Sequence, residues 1–62
     1  MCEFIVYLEG RGSKRREVAR GVVAARRKDG DVMLMDIVGS VTKVEDATIQ
    51  EVNTLSRELI LV

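Results

Sequence analysis

Apolar residues recur along this chain in short alternating runs rather than at helical spacing. In residues 2–8, Cys2, Phe4, Val6 and Leu8 fall on one face of an extended segment, and Glu3, Ile5 and Tyr7, followed by Glu9, fall on the other, because strand side chains alternate with a period of two. The second face is partly apolar, so it too calls for cover. Glycines at 10, 12, 21, 30 and 39 cut the chain into pieces of about a strand's length, too short for helices of the usual ~11 residues.

The pattern predicts strands over residues 2–8, 21–27, 32–35, 40–45, 48–52 and 58–62. Residues 14–19 are ambiguous: Arg and Glu suit a helix, while the brevity of the segment suits an edge strand or an irregular arm. Gly10-Arg11-Gly12-Ser13 reads as a flexible turn. Asp29-Gly30 is the strongest hairpin signal, because a type I′ turn needs positive φ at both central residues; Lys28 and Asp31 could pair across its mouth. Asn53-Thr54-Leu55-Ser56 is a second turn. The closing Leu59-Ile60-Leu61-Val62 lacks polar alternation, so both of its faces should be covered, by this chain or by a second copy. About six short strands separated by frequent turns predict an all-β fold, a compact barrel or sandwich.

Length adds a constraint. A chain of 62 residues is one domain and buries only about 60% of its unfolded surface, which leaves a thin stability margin. Cys2 is the sole cysteine, so no internal disulfide framework can help, and association into a homodimer is the expected supplement. The run from Phe4 to Leu8 is too short for a secretory signal, and no stretch approaches the roughly 20 apolar residues of a membrane span. The expectation is a soluble cytoplasmic protein with no membrane partner.

Charge is balanced in total, at 10 basic and 10 acidic residues, but not in position. Arg11, Lys14, Arg15, Arg16, Arg20, Arg26, Arg27 and Lys28 are opposed within their stretch only by Glu17, whereas the rest of the chain is acidic. One loop and one strand could therefore act as a local polycation.

Catalytic groups are scarce. Histidine is absent, which removes the usual general base and the commonest metal ligand. Glu45 and Asp46 are adjacent, and neighbours in a strand point to opposite faces, so they cannot jointly flank a substrate. Gly10-Arg11-Gly12 is only a fragment of a dinucleotide-binding fingerprint. A self-contained active site is not expected.

Cys2 is the exception. Its thiolate is a soft ligand suited to nickel, copper(I) or zinc. With Met1 retained, the terminal amine and the Cys2 amide can close chelate rings with the sulfur; with Met1 removed, the Cys2 amine and thiolate form one ring. Two such termini meeting at a two-fold axis could complete a four-coordinate site, where square-planar geometry favours Ni(II) or Cu(II) over Zn(II). The bland alternative is that a lone cysteine beginning an apolar strand is a small buried hydrophobe. Met33 and Met35 share a strand face as further soft donors, although Met on an apolar strand is more often packing.

Met1-Cys2 leading into a strand, Asp29-Gly30-Asp31-Val32 at a hairpin, Asp36-Ile37-Val38-Gly39 after it and a strand-rich close together resemble the CooT family, small nickel-binding proteins also catalogued as predicted RNA-binding proteins. The resemblance covers the whole chain. It implies a small SH3-like β-barrel, a homodimer, and Ni(II), or other soft or borderline divalent metals, bound through Cys2 of each subunit by a metallochaperone-like module with a client metalloenzyme. Val38 stands where the family usually has an aromatic residue, and Ser40 where it usually has an acid; both departures bear on packing more than on metal.

Two other readings remain open. RNA or DNA binding could use Arg11, Lys14, Arg15, Arg16, Arg26, Arg27 and Lys28 as a basic stripe on a small barrel. Against it, Phe4 and Tyr7 are the only aromatic residues available for base stacking, and the overall charge balance lacks the basic excess of such domains. The same basic residues could instead dock a protein-interaction adaptor on an acidic partner.

Overall fold

The computed structural model describes residues 2–10, 12 and 14–62. Six strands form one sheet: β1 (Phe4–Glu9), β2 (Arg15–Lys28), β3 (Asp31–Asp36), β4 (Val41–Val44), β5 (Ile49–Asn53) and β6 (Glu58–Leu61). The all-β expectation holds. Their order across the sheet is β4-β3-β2-β1-β6-β5.

The organising element is β2. It runs for 14 residues, its first part paired antiparallel with β1 and its second with β3, and Val22 serves both as partner of Phe4 and as partner of Asp36. Of residues 14–19, which suited a helix on one side and an edge strand or arm on the other, 15–19 are strand, and Gly21 lies inside the strand instead of opening it. Its φ of +65° is costly for any residue with a Cβ and free for glycine. That backbone kink, with register shifts on both ladders beside it, bends β2 so that one strand belongs to two halves of the sheet.

The Asp29-Gly30 turn takes φ values of +51° and +85°, as a type I′ hairpin requires. Lys28 and Asp31 are backbone partners there, yet the Asp31 carboxylate is engaged elsewhere: Oδ2 lies 3.8 Å from Lys43 Nζ, and Oδ1 accepts the Asp46 amide at 3.0 Å. Asp36 builds the next turn, its Oδ1 accepting the amides of Val38 and Ser40. Asn53 does the same for Leu55 and Ser56. Glu45 and Asp46 lie in a turn, not at the end of a strand, with Asp46 at φ +52°.

Not every pairing is antiparallel. β1 and β6 run parallel, Val6 opposite Leu59 and Leu8 opposite Leu61, which departs from an all-antiparallel set. Nor is the sheet closed, since β4 and β5 form opposite edges. They are nevertheless consecutive in sequence, and residues 45–48 can reach only about 17–19 Å between them. The sheet therefore has to curl. Ala47 anchors the crossing by donating to the Gly30 carbonyl, and Thr48 exchanges two backbone hydrogen bonds with Val62. The result is a curled small barrel left open along one seam, whose shortest dimension is 14 Å.

Inside the curl lie Val6, Val22, Val32, Leu34, Ala47, Leu59 and Leu61, with Phe4, Leu8, Val18 and Val44 packed against them. Ile60 is also buried, on the opposite face of β6, so β6 has both faces covered within one chain, while Val62 just after it is exposed. On that outer face, Ile60 is ladder partner to Tyr7 and Glu51.

Candidate functional site

Cys2 stands just ahead of β1, exposed and unpaired in a disulfide. It is not the small buried hydrophobe that its place before an apolar strand would suggest. Phe4, two residues on, lines an apolar cleft together with Val22, Val23, Ala25, Ile49 and Val52. Val23 and Val52 are 40% and 58% exposed there. A soft donor thus precedes by two residues a side chain that lines an uncovered apolar cleft.

The described residues of one chain contain no group of three or more His, Cys, Asp or Glu side chains able to hold a metal ion. Ni(II) in square-planar coordination needs four donors. The thiolate fits the soft-donor chemistry, and the rest of a site has to come from backbone nitrogen or from a second copy.

The basic residues are not brought together. Arg11 lies outside the described residues, and Lys14 and Arg16 are exposed near the start of β2. Arg15 is committed to an ion-pair group: its Nη2 donates to Glu9 Oε2 at 2.6 Å, its Nη1 lies 3.9 Å from Glu58, and its guanidinium stands 5.4 Å from the Tyr7 ring centroid. The hydrogen bond to Glu9 raises the affinity of Arg15 for its proton further. Arg20 donates two hydrogen bonds to Glu17 and holds that carboxyl below the ordinary carboxylate range.

Farther along β2 the faces separate. Arg26 is the ladder partner of Met33, and Lys28 of Asp31, on the face away from the core, whereas Arg27 is partner to the core residue Val32. A continuous basic stripe is therefore not formed. Neither is a stacking platform, since Phe4 packs on the core and Tyr7 lies under Arg15. What the alternation does assemble is a mixed face on β2, β3 and β4, where Arg26, Lys28 and Lys43 surround Met33, Met35 and Val41. The basic residues of that face were visible in the sequence. Their juxtaposition with Met33 and Met35 depends on the β2–β3 register, which only the hairpin at Asp29-Gly30 could have supplied.

The family model described as CO dehydrogenase accessory protein CooT matches residues 1–62, the entire chain. The chain belongs to the CooT family. Membership carries a CO dehydrogenase accessory role, which is compatible with handling nickel and implies a client metalloenzyme. A search of curated proteins finds no match. Among the described residues, no helix is long and apolar enough to cross a membrane. Against the CooT background, the exposed thiol of Cys2 and the apolar cleft lined by Phe4, Val23 and Val52 are the features that need a use.

Proposed function

We propose that this CooT-family protein binds Ni(II) through Cys2, contributed once by each of two subunits, and acts in the cytoplasm as a non-enzymatic, metallochaperone-like accessory to a metalloenzyme. The observation that carries this reading is the exposure of Cys2, two residues ahead of Phe4, which lines the apolar cleft. A second copy seated on the cleft would bury Val23 and Val52 and bring two thiolates to one axis, which two-fold symmetry makes self-complementary. Among the described residues one subunit has no group of three or more His, Cys, Asp or Glu side chains for such a site, so dimerisation and metal binding are one chemical event in this scheme. Client recognition is then a separate task for another surface.

Anaerobic titration with Ni(II) tests the proposal through the absorption bands of thiolate-to-metal charge transfer. The expected stoichiometry is about one ion per dimer, because two thiolates share a four-coordinate site. Cys2→Ser should abolish the bands without changing the circular dichroism spectrum, since Cys2 lies outside the strands. Unchanged nickel binding by the Cys2→Ser protein would overturn the assignment.

A further inference from the structure

The outer face of β2, β3 and β4 is built differently from the rest of the surface. Cross-strand neighbours on one face of a sheet lie side by side, so the pairs Ala24–Met35, Arg26–Met33 and Lys28–Asp31 continue across β3 to Met35–Val41 and Met33–Lys43. An apolar strip of Ala24, Met33, Met35 and Val41 results, with Arg26, Lys28 and Lys43 along it. A shallow depression runs over these residues. Met35 and Val41 are 39% and 58% exposed.

Charge on this face is unbalanced. Its acids are Asp31, already 3.8 Å from Lys43, and Asp29 at the hairpin tip, which shares a depression with Lys28, Met33 and Lys43, while Arg26 and Lys28 have no ion-pair partner among the described residues. Two other arginines of β2 are paired locally, Arg15 with Glu9 and Arg20 with Glu17. Methionine and arginine around an apolar strip suit a protein contact, because thioethers adapt to a partner's shape and guanidinium groups bind carboxylates in a planar fork.

We infer that this face docks an acidic protein segment carrying apolar side chains, with Met33, Met35 and Val41 taking the apolar groups and Arg26 and Lys28 the carboxylates. Charge complementarity selects that occupant. A second copy of the chain would bring the same positive excess against itself. Nucleic acid would gain phosphate contacts but leave the methionine strip covered by nothing, and the face has no aromatic residue for stacking. The inference deepens the accessory reading by giving its client a binding surface separate from the Cys2 cleft, and it rests on that reading for what the docked protein is.

The test uses the full chain, ¹⁵N-labelled, titrated with a short synthetic peptide of alternating glutamate and leucine. Amide shifts should be confined to residues 24–28, 33–35 and 41–43, and Arg26→Glu combined with Lys28→Glu should weaken binding by roughly tenfold or more, as expected for reversing charges at a docking face. Met35→Ser, a partly exposed position that leaves the core intact, should weaken it as well. Both variants should retain the wild-type nickel response, so that a failure here is separable from a failure at Cys2. The inference is overturned if an oligoglutamate of equal charge binds as well as the mixed peptide, or if the shifts centre on Phe4 and Val52. It also fails if these amides shift with concentration in the free protein, or if a uridine oligonucleotide binds this face more tightly than the peptide.

Discussion

Tyr7 and Ile60 are direct partners in the parallel β1–β6 ladder, and the guanidinium of Arg15 stands 5.4 Å from the Tyr7 ring centroid. Arginine, ring and isoleucine thus form a small outer cluster on the sheet face away from the main core. Tyr7→Ala should cost about 1–2 kcal/mol, the loss of a half-buried aromatic and of cover over Ile60. Arg15→Ala should lower Tm less, and its effect should shrink in high salt because the guanidinium is exposed to solvent. Thermal melts of both variants with and without added salt give the comparison; a larger effect for Arg15 would mean that the ring contributes little.

Leu61 is fully buried, and Leu34 nearly so. Leu61→Ala leaves a cavity that the two-sided packing of β6 cannot collapse, at a cost of about 2–5 kcal/mol. In a chain this short that is comparable with the whole stability. The variant is expected to be largely unfolded at 25 °C in the absence of metal, as measured by denaturant titration.

Gly21 holds the bend of β2 at φ +65°, and a Cβ built there would meet only Glu3 Oε1, at 3.8 Å. Space is not the obstacle to a larger residue. Gly21→Ala should therefore lose about 1–2 kcal/mol through backbone conformation alone. Gly21→Asn should recover part of it, since Asn tolerates the left-handed region better; equal losses for the two would argue that side-chain contact matters more than φ.

Glu17 has its carboxyl pKa lowered chiefly by the hydrogen bonds from Arg20. A lowered folded-state pKa stabilises the fold above the unfolded carboxylate value, and that contribution disappears as pH falls through the lowered value. Because the pair is exposed, the acid limb it produces should be shallow. Comparing Tm against pH for wild type and Glu17→Gln should show curves that converge in acid and separate above the carboxylate range. Divergence in acid would reverse the sign.

Nickel should also change mass. If both Cys2 thiolates are needed, Ni(II) shifts the monomer–dimer equilibrium in proportion to its differential affinity, so sedimentation should show tighter dimers with nickel than without. Cys2→Ser should remove that nickel dependence. A nickel complex that sediments as a monomer would restrict the site to one chain.

Much of the strand pattern was readable because its causes are local. Asp29-Gly30 announces a hairpin through backbone sterics alone, and alternation placed Phe4, Val6 and Leu8 together on one face. Residues 15–19 resisted because Arg and Glu have helical preferences that pairing with β1 overrides. Gly21 read as a boundary because glycine usually punctuates, whereas here its φ serves a bend inside a longer strand. The parallel pairing of β1 with β6 leaves no mark in either segment. As for candidate residues, Cys2 stands out by its donor chemistry alone, whereas the basic residues looked like one stripe because the register shifts at Phe4–Val6 and Val22–Ala24, which decide their faces, are not encoded in neighbouring residue types.

The β1–β6 ladder joins Ile5 to Glu58 and Leu8 to Leu61, the earliest strand to the latest. A chain emerging from a ribosome can form the β2–β3 hairpin early, but its first strand lacks one edge partner until the sixth has been made. Such remote pairing slows folding and makes it cooperative. A newly synthesised copy would therefore lack the β1–β6 ladder until nearly all of it is available, so the surroundings of its first strand are completed last although that strand is made first.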